Sequence, residues 1–264
     1  MGIEWRTAHP ALHPFVIGFV ERVDVAATGA SIELPFAIPV IHIALNEAPG
    51  PCVAISTGTR RARAVPQRSA LHTFVVALGF SGVALFGLKP ALATIGHFID
   101  IDDAFWCSLR GRLCQASDFV ERAAIVERML LAQIEARSGA LPALFKAADA
   151  IAHDRWSGPI HDLARHCGIE ERTLRNRFRH DLGWSPKQLL RVARFNRALR
   201  ALHPQPWSGP PVQDVRLEFF DDSHFYREFR AHAGISPAAF IAAKRHSGDA
   251  MLHHLSLDSL RQVR

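Results

Sequence analysis

Two stretches in the second half of the chain repeat one another, and this repeat limits what that half can fold into. Leu174, Phe178, Gly183, Ser185 and Pro186 recur as Phe225, Phe229, Gly234, Ser236 and Pro237, at an offset of 51 residues. Upstream, Pro159, Ile160, His161, Asp162 and Leu163 recur as Pro211, Val212, Gln213, Asp214 and Val215 at an offset of 52, so the second copy is one residue shorter in between. A unit seen twice, with apolar positions, turn glycine and a Ser-Pro helix start all kept, describes a duplicated helical unit. A solenoid would need three or more copies.

In the first copy Ile160, Leu163, Ala164 and Cys167 fall at i, i+3, i+4 and i+7 and form one apolar stripe. Gly168 follows, where a left-handed residue ends a helix at little cost. A second helix then starts after Glu170, buries Leu174 and Phe178, and stops near Gly183. Two short helices joined by a glycine-containing turn form a helix-turn-helix. Ser185 and Pro186 open a third helix with a serine N-cap and a first-turn proline. It carries Val192, Phe195, Leu199 and Leu202 on one side, Arg191, Arg194, Arg197 and Arg200 on another, and ends before Pro204.

The net charge of +6 says little about partners, but its distribution says more. Arg165, Arg172, Arg175, Arg177, Arg179, Lys187, Arg191, Arg194, Arg197 and Arg200 are opposed in that stretch only by Glu170, Glu171 and Asp181. Such a concentration is the footprint of a phosphate-binding face. On the second helix, Arg172, Arg175, Asn176 and Arg179 share a face pointing away from Leu174 and Phe178, and the register recurs as Ser223, Tyr226, Arg227 and Arg230. Arginine suits guanine and asparagine suits adenine in the major groove. Two such helices held apart by a rigid one predict two successive major-groove contacts on double-stranded DNA, about one helical turn apart.

These residues resemble the AraC/XylS family of bacterial regulators. The resemblance rests on Leu163-Ala164, Gly168-Ile169, the run 172–178, Gly183, Ser185-Pro186, the stretch 194–198, and then Asp222-Ser223-His224-Phe225, Arg227, Phe229 and Gly234-Ile235-Ser236-Pro237. It implies an α+β protein in which a β-rich sensor or dimerisation domain, expected over 1–137, precedes an all-α double helix-turn-helix domain over 143–245 and a tail over 246–264. It further implies base reading by Arg172, Arg175 and Asn176 and, in the second unit, by Asp222, Ser223, Tyr226 and Arg227. Arg179, Lys187, Arg191 and Arg230 are expected on phosphate. The expected partners are double-stranded DNA, the transcription machinery, a small-molecule effector and a second copy of the chain. The chain departs from the family pattern in two places. Glu170 stands where a small N-cap such as serine is usual, a loss of ~1 kcal/mol in capping. In the second unit Arg216 takes an alanine position and Glu218 directly precedes Phe219-Phe220, so its turn reads about two residues short.

The first hundred residues are punctuated by Pro10, Pro14, Pro35, Pro39, Pro49, Gly50, Pro51, Pro66 and Pro90, with short apolar runs such as 40–45 and 74–78 between them. That is the look of a small β-rich domain. The longest apolar stretch, 74–88, is interrupted by glycines and is shorter than the ~20 residues a membrane helix needs, so it reads as buried strands. Residues 119–136 carry Val120, Ala123, Ala124, Met129, Leu130 and Ile134 at helical spacing, for a dimer surface or for packing on their own sheet. Residues 138–142 read as the boundary between the halves.

No catalytic motif, cofactor site or metal site emerges. His42 and Glu47 lack the second histidine of a cupin pair, Pro10 separates His9 from His13, and Cys107 and Cys114 have no histidine nearby. The four cysteines Cys52, Cys107, Cys114 and Cys167 form no CxxC pair, and the N-terminus is not a signal peptide; both fit a reducing cytoplasm. Three readings stay open: a ligand-responsive regulator, a regulator whose front half only dimerises, and an enzyme joined to a regulatory domain. The last is not expected.

Overall fold

The structure is a computed structural model, and it describes residues 2–23, 30–46, 52–66, 72–88, 95–137, 141–203, 222–247 and 254–256. The front half is β-rich. Strands β1 (Gly2–Thr7), β2 (Val16–Val23), β4 (Val40–Ala44), β5 (Val53–Ser56), β7 (His72–Leu78) and β8 (Ile99–Asp100) form an antiparallel sheet in the order β1-β2-β7-β4-β5-β8. Period-two alternation sends Phe19, Ile41, Ile43, Phe74 and Val76 to one face, all at most 1% exposed. Helices α2 (Ala104–Gln115) and α3 (Phe119–Ala136) cover that face with Trp106, Leu109, Leu113, Phe119, Ala123, Val126 and Leu130. Both helices start where a side-chain acceptor is available: Asp103 takes the N–H of Phe105 and Asp118 that of Glu121. The stripe of α3 therefore packs on its own sheet, while Val120 stays 63% exposed.

The 74–88 stretch is only half strand. It turns at Gly79 into α1 (Phe80–Leu85), whose first N–H groups are capped from far along the chain. Asp149 accepts from Phe80 N at 2.5 Å and Ser81 N at 2.9 Å. A local pattern could not report a cap that arrives from 69 residues away.

The second half is helical: α4 (Ala143–Ala152), α5 (Ile160–His166), α6 (Glu171–Leu182), α7 (Pro186–Leu202), α8 (Asp222–Ala233) and α9 (Pro237–Ser247). The expected division near residue 140 is crossed by two cores and a sheet. Ala37 and Phe80 share a core with α4–α7 residues. Leu34 joins Phe195, Phe225, Phe229 and Phe240 in another. The expected tail supplies β9 (His254–Ser256), which completes a second sheet, β6-β3-β9, with β3 (Ala30–Glu33) and β6 (Arg63–Pro66). No described helix is long and apolar enough to cross a membrane.

Candidate nucleic-acid interface

The first unit is α5, a turn, and α6. Leu163 and Ala164 are buried, and the chain leaves α5 through Gly168 at φ +66°, a conformation that would strain a residue with a Cβ. Ile169 N donates back to Ala164 O at 3.1 Å, closing the turn. Leu174, Phe178 and Leu182 fall at i, i+4 and i+8 and are fully buried, so register forces the remaining face outward. On that face Arg172, Asn176 and Arg179 are exposed. Arg175 is half-buried and bonded to Glu171 one turn back, with Nε to Oε1 at 2.8 Å. Glu171 thus holds the Arg175 guanidinium along the helix surface. Glu170 makes no side-chain cap, as its identity predicts.

The linker helix α7 opens with a reciprocal capping box: Gln188 N donates to Ser185 Oγ at 3.2 Å, and Ser185 N donates to Gln188 Oε1 at 3.3 Å. Lys187 is exposed in its first turn. In the second unit Phe225 and Phe229 point inward onto Phe195 and Phe240, with Phe195 and Phe229 rings 5.2 Å apart. Ser223, Tyr226, Arg227 and Arg230 are exposed on the opposite side. Both expected sets therefore lie on outward faces of the second helix of their unit. Residues 204–221, where the sequence places the second unit's first helix and its short turn as an expectation, lie outside the described residues, as does the Asp222 side chain.

The expected continuous basic side of α7 is divided. Arg191 bonds Glu228 of α8 through Nε at 3.2 Å and an η nitrogen at 3.0 Å, so a phosphate must compete with that carboxylate. Arg197 bonds Asp154 at 2.8 Å, and Arg200 takes the other oxygen of the same carboxylate. Asp154 sits at φ +60° just past α4, a position that sequence spacing cannot reveal.

The metal candidates have local explanations. His9 Nδ1 accepts from Ala11 N at 3.3 Å, and His13 Nε2 meets Ala8 O at 2.7 Å. Cys107 and Cys114 are exposed thiols, and Glu47 lies outside the described residues. Among the described residues no three His, Cys, Asp or Glu side chains gather to hold a metal. Cys167 is half-buried beside the turn, where burial pushes its thiol up.

Three residues that the sequence did not single out join the helical half around the first unit to the front half. Asp149 is one. Trp184 is fully buried, and its indole donates to Thr57 O at 2.9 Å. Arg60 donates to Gly183 O at 2.7 Å, with its guanidinium 5.7 Å from the centre of the Trp184 ring. The one available signal was Trp184 itself, because a large aromatic in a turn needs an apolar surface to cover it.

Residues 163–243 match the family model described as a helix-turn-helix domain. The chain is 33% identical over 112 residues to the uncharacterized HTH-type transcriptional regulator YidL of Escherichia coli K12. That match covers 42% of this chain and spans 37% of YidL, little more than a third of its length. Among solved structures, ToxT from Vibrio cholerae at 1.65 Å has 9% identity and a TM-score of 0.41, covering 91% of this chain and 96% of that one. The unsaturated fatty acid bound form of wild-type ToxT from strain SCE256 has 10% identity and a TM-score of 0.42, covering 88% and 97%. The helix-turn-helix half of the chain is thus similar to helix-turn-helix transcription regulators over residues 163–243.

Proposed function

We propose that this protein is a sequence-specific, double-stranded DNA-binding transcription regulator of the cytoplasm that answers to a small molecule through its front half. One observation carries the DNA reading. The inner face of α6 is fully buried, which commits Arg172, Asn176 and Arg179 to the outside of the second helix of a glycine-turn pair. Charge that cannot turn inward, beside an amide able to pair with adenine, suits a major-groove reader. Contact with the transcription machinery and pairing with a second copy belong to this reading.

An effector is supported by a polar cluster that joins the two sheets, away from the apolar core. The His42 ring meets Phe98 edge-on at 4.5 Å, and Arg63 lies 5.6 Å over the same ring while bonding Glu33 at 2.5 Å. Burial first, then the Arg22 and Arg63 charges, hold His42 down at about 4. Small-ligand sites pair apolar walls with a few fixed polar groups of this kind. A second reading, in which the front half only supports dimerisation, is favoured by the filling of the opposite sheet face by α2 and α3.

Selection of binding sites from a random DNA library tests the DNA reading. The expected product is a site with two half-sites about one helical turn apart; no enrichment over random sequence would overturn it. A thermal-shift screen of small molecules on the whole chain separates the two front-half readings. A shift that is lost in His42→Phe favours the effector, and no shift by any compound favours the platform. The whole chain is required because β9 and Leu34 tie the halves together.

A further inference from the structure

Residues 57–62 of the front half run between the two helix-turn-helix units and touch both. On one side Thr57 O takes the Trp184 indole N–H, and the Arg60 side chain bonds Gly183 O, both at the turn that ends α6. On the other side Ala62 N donates to His232 O in α8 at 2.9 Å, and His232 Nδ1 lies 3.3 Å from Arg60 O. With the proton on Nδ1, that contact is a donated hydrogen bond. The segment is shaped for the task. Gly58 sits at φ +105°, and a Cβ there would stand 2.2 Å from Phe36 O and 3.2 Å from the Trp184 ring. Arg60 is the residue common to both sides: its guanidinium holds the end of the first reading helix and its carbonyl faces the second.

We infer that Arg60 is a positioning residue for DNA recognition: it cross-braces the two reading helices and so fixes the half-site spacing that the protein accepts. This rests on the DNA-binding reading above. Each unit packs on α7 through its own apolar seam, and a second connection through residues 57–62 closes the frame between them. Arg60 itself is exposed, so its removal deletes a connection without hollowing a core.

The experiment uses the full chain, its Arg60→Ala variant and the conservative Arg60→Lys. Each is titrated against a single half-site and against paired half-sites whose spacing is altered by one and two base pairs. The expected wild-type result is a sharp preference for one spacing, at least tenfold over its neighbours. In Arg60→Ala the preference should fall to about threefold or less, with single half-site affinity and melting temperature held, and Arg60→Lys should restore part of it. Unchanged spacing preference, or an equal loss on the single half-site, would overturn the brace. A second readout needs no DNA: spin labels at Thr173 and Arg227, with Cys52, Cys107, Cys114 and Cys167 replaced by serine. Their distance distribution should broaden in Arg60→Ala, and an unchanged distribution overturns the inference. If the wild type binds no DNA at all, the DNA reading fails while the label distances still decide whether Arg60 couples the two units.

Discussion

On α6 the outward face carries Arg172, Arg175, Asn176 and Arg179; on α8 the same register carries Ser223, Tyr226, Arg227 and Arg230. The inner faces are alike, each burying an aromatic against α7 or its neighbours, so the packing that builds a unit does not decide how well it reads. Their anchorage differs as well. The first unit is fastened to the front half by polar contacts at fixed points, with Asp149 on α1 and Trp184 on Thr57. The second is fastened by apolar insertion of Leu34 together with the Ala62 N bond to His232 O. The first unit thus takes side-chain bonds from Asp149 and Trp184 in addition to its apolar contacts, while the second takes a backbone bond beside an apolar contact.

The sharpest way to break this comparison is to hollow each unit in turn. Phe178→Ala and Phe229→Ala should each cost about 4 kcal/mol of unfolding free energy in chemical denaturation. A much smaller loss at Phe229 would show that the inner faces are not equivalent after all. Next in size, Asp149→Ala should cost about 3 kcal/mol by leaving two buried N–H groups without an acceptor, and Asp149→Asn, which keeps one acceptor, should cost less. If the alanine variant is as stable as the wild type, the polar fastening of the first unit has no energetic weight.

On DNA, Asn176→Ala should lose about 2 kcal/mol on the specific site and relax base preference there. Arg227→Ala should lose less. An Asn176→Ala loss that is the same on random DNA would sink base reading by the first unit. Arg191→Ala should weaken specific and random DNA alike, by no more than about 1 kcal/mol, because it also gives up an exposed pair with Glu228.

The smallest effect is a difference in pH response. Burial raises Asp149 above the usual carboxylate range, so its contribution is complete below the ordinary aspartate value and declines as pH rises through the raised one. His232 is lowered, first by burial and then by the Arg191 and Arg61 charges, against Glu228 and its bond to Arg60 O. Its contribution is complete above the ordinary histidine range and is lost as pH falls through its lowered value. Acidification from pH 7 to 5 should therefore speed amide exchange at Ala62, which is bonded to His232, relative to Phe80, which is bonded to Asp149. Equal changes after correction for intrinsic rates would show that the two fastenings do not differ in this way.

Much of the helical half was legible because its signals are local. Stripes at helical spacing, the turn at Gly168 and the Ser185-Pro186 start each concern residues within a few turns of one another, and each is where spacing puts it. The outward placement of Arg172, Asn176 and Arg179 followed for the same reason, since burying Leu174 and Phe178 leaves one choice. The front half was legible only in class, because strand order depends on pairings between distant segments. The α1 turn of the 74–88 stretch depends on a carboxylate in α4.

The sequence alone therefore determined the first helix-turn-helix unit and the outward face of α8: these helices, the Gly168 turn and the faces follow from periodicity and glycine chemistry within about thirty residues. Tertiary structure decided what those units are joined to. Only the folded chain takes Arg191, Arg197 and Arg200 off a common basic face and gives them to Glu228 and Asp154. Only the folded chain brings Arg60 between Gly183 and His232. The physical reason is the same in each case: a hydrogen bond or ion pair is made by atoms a few ångströms apart, and separations of 37 to 172 residues along the chain leave no periodic trace of it.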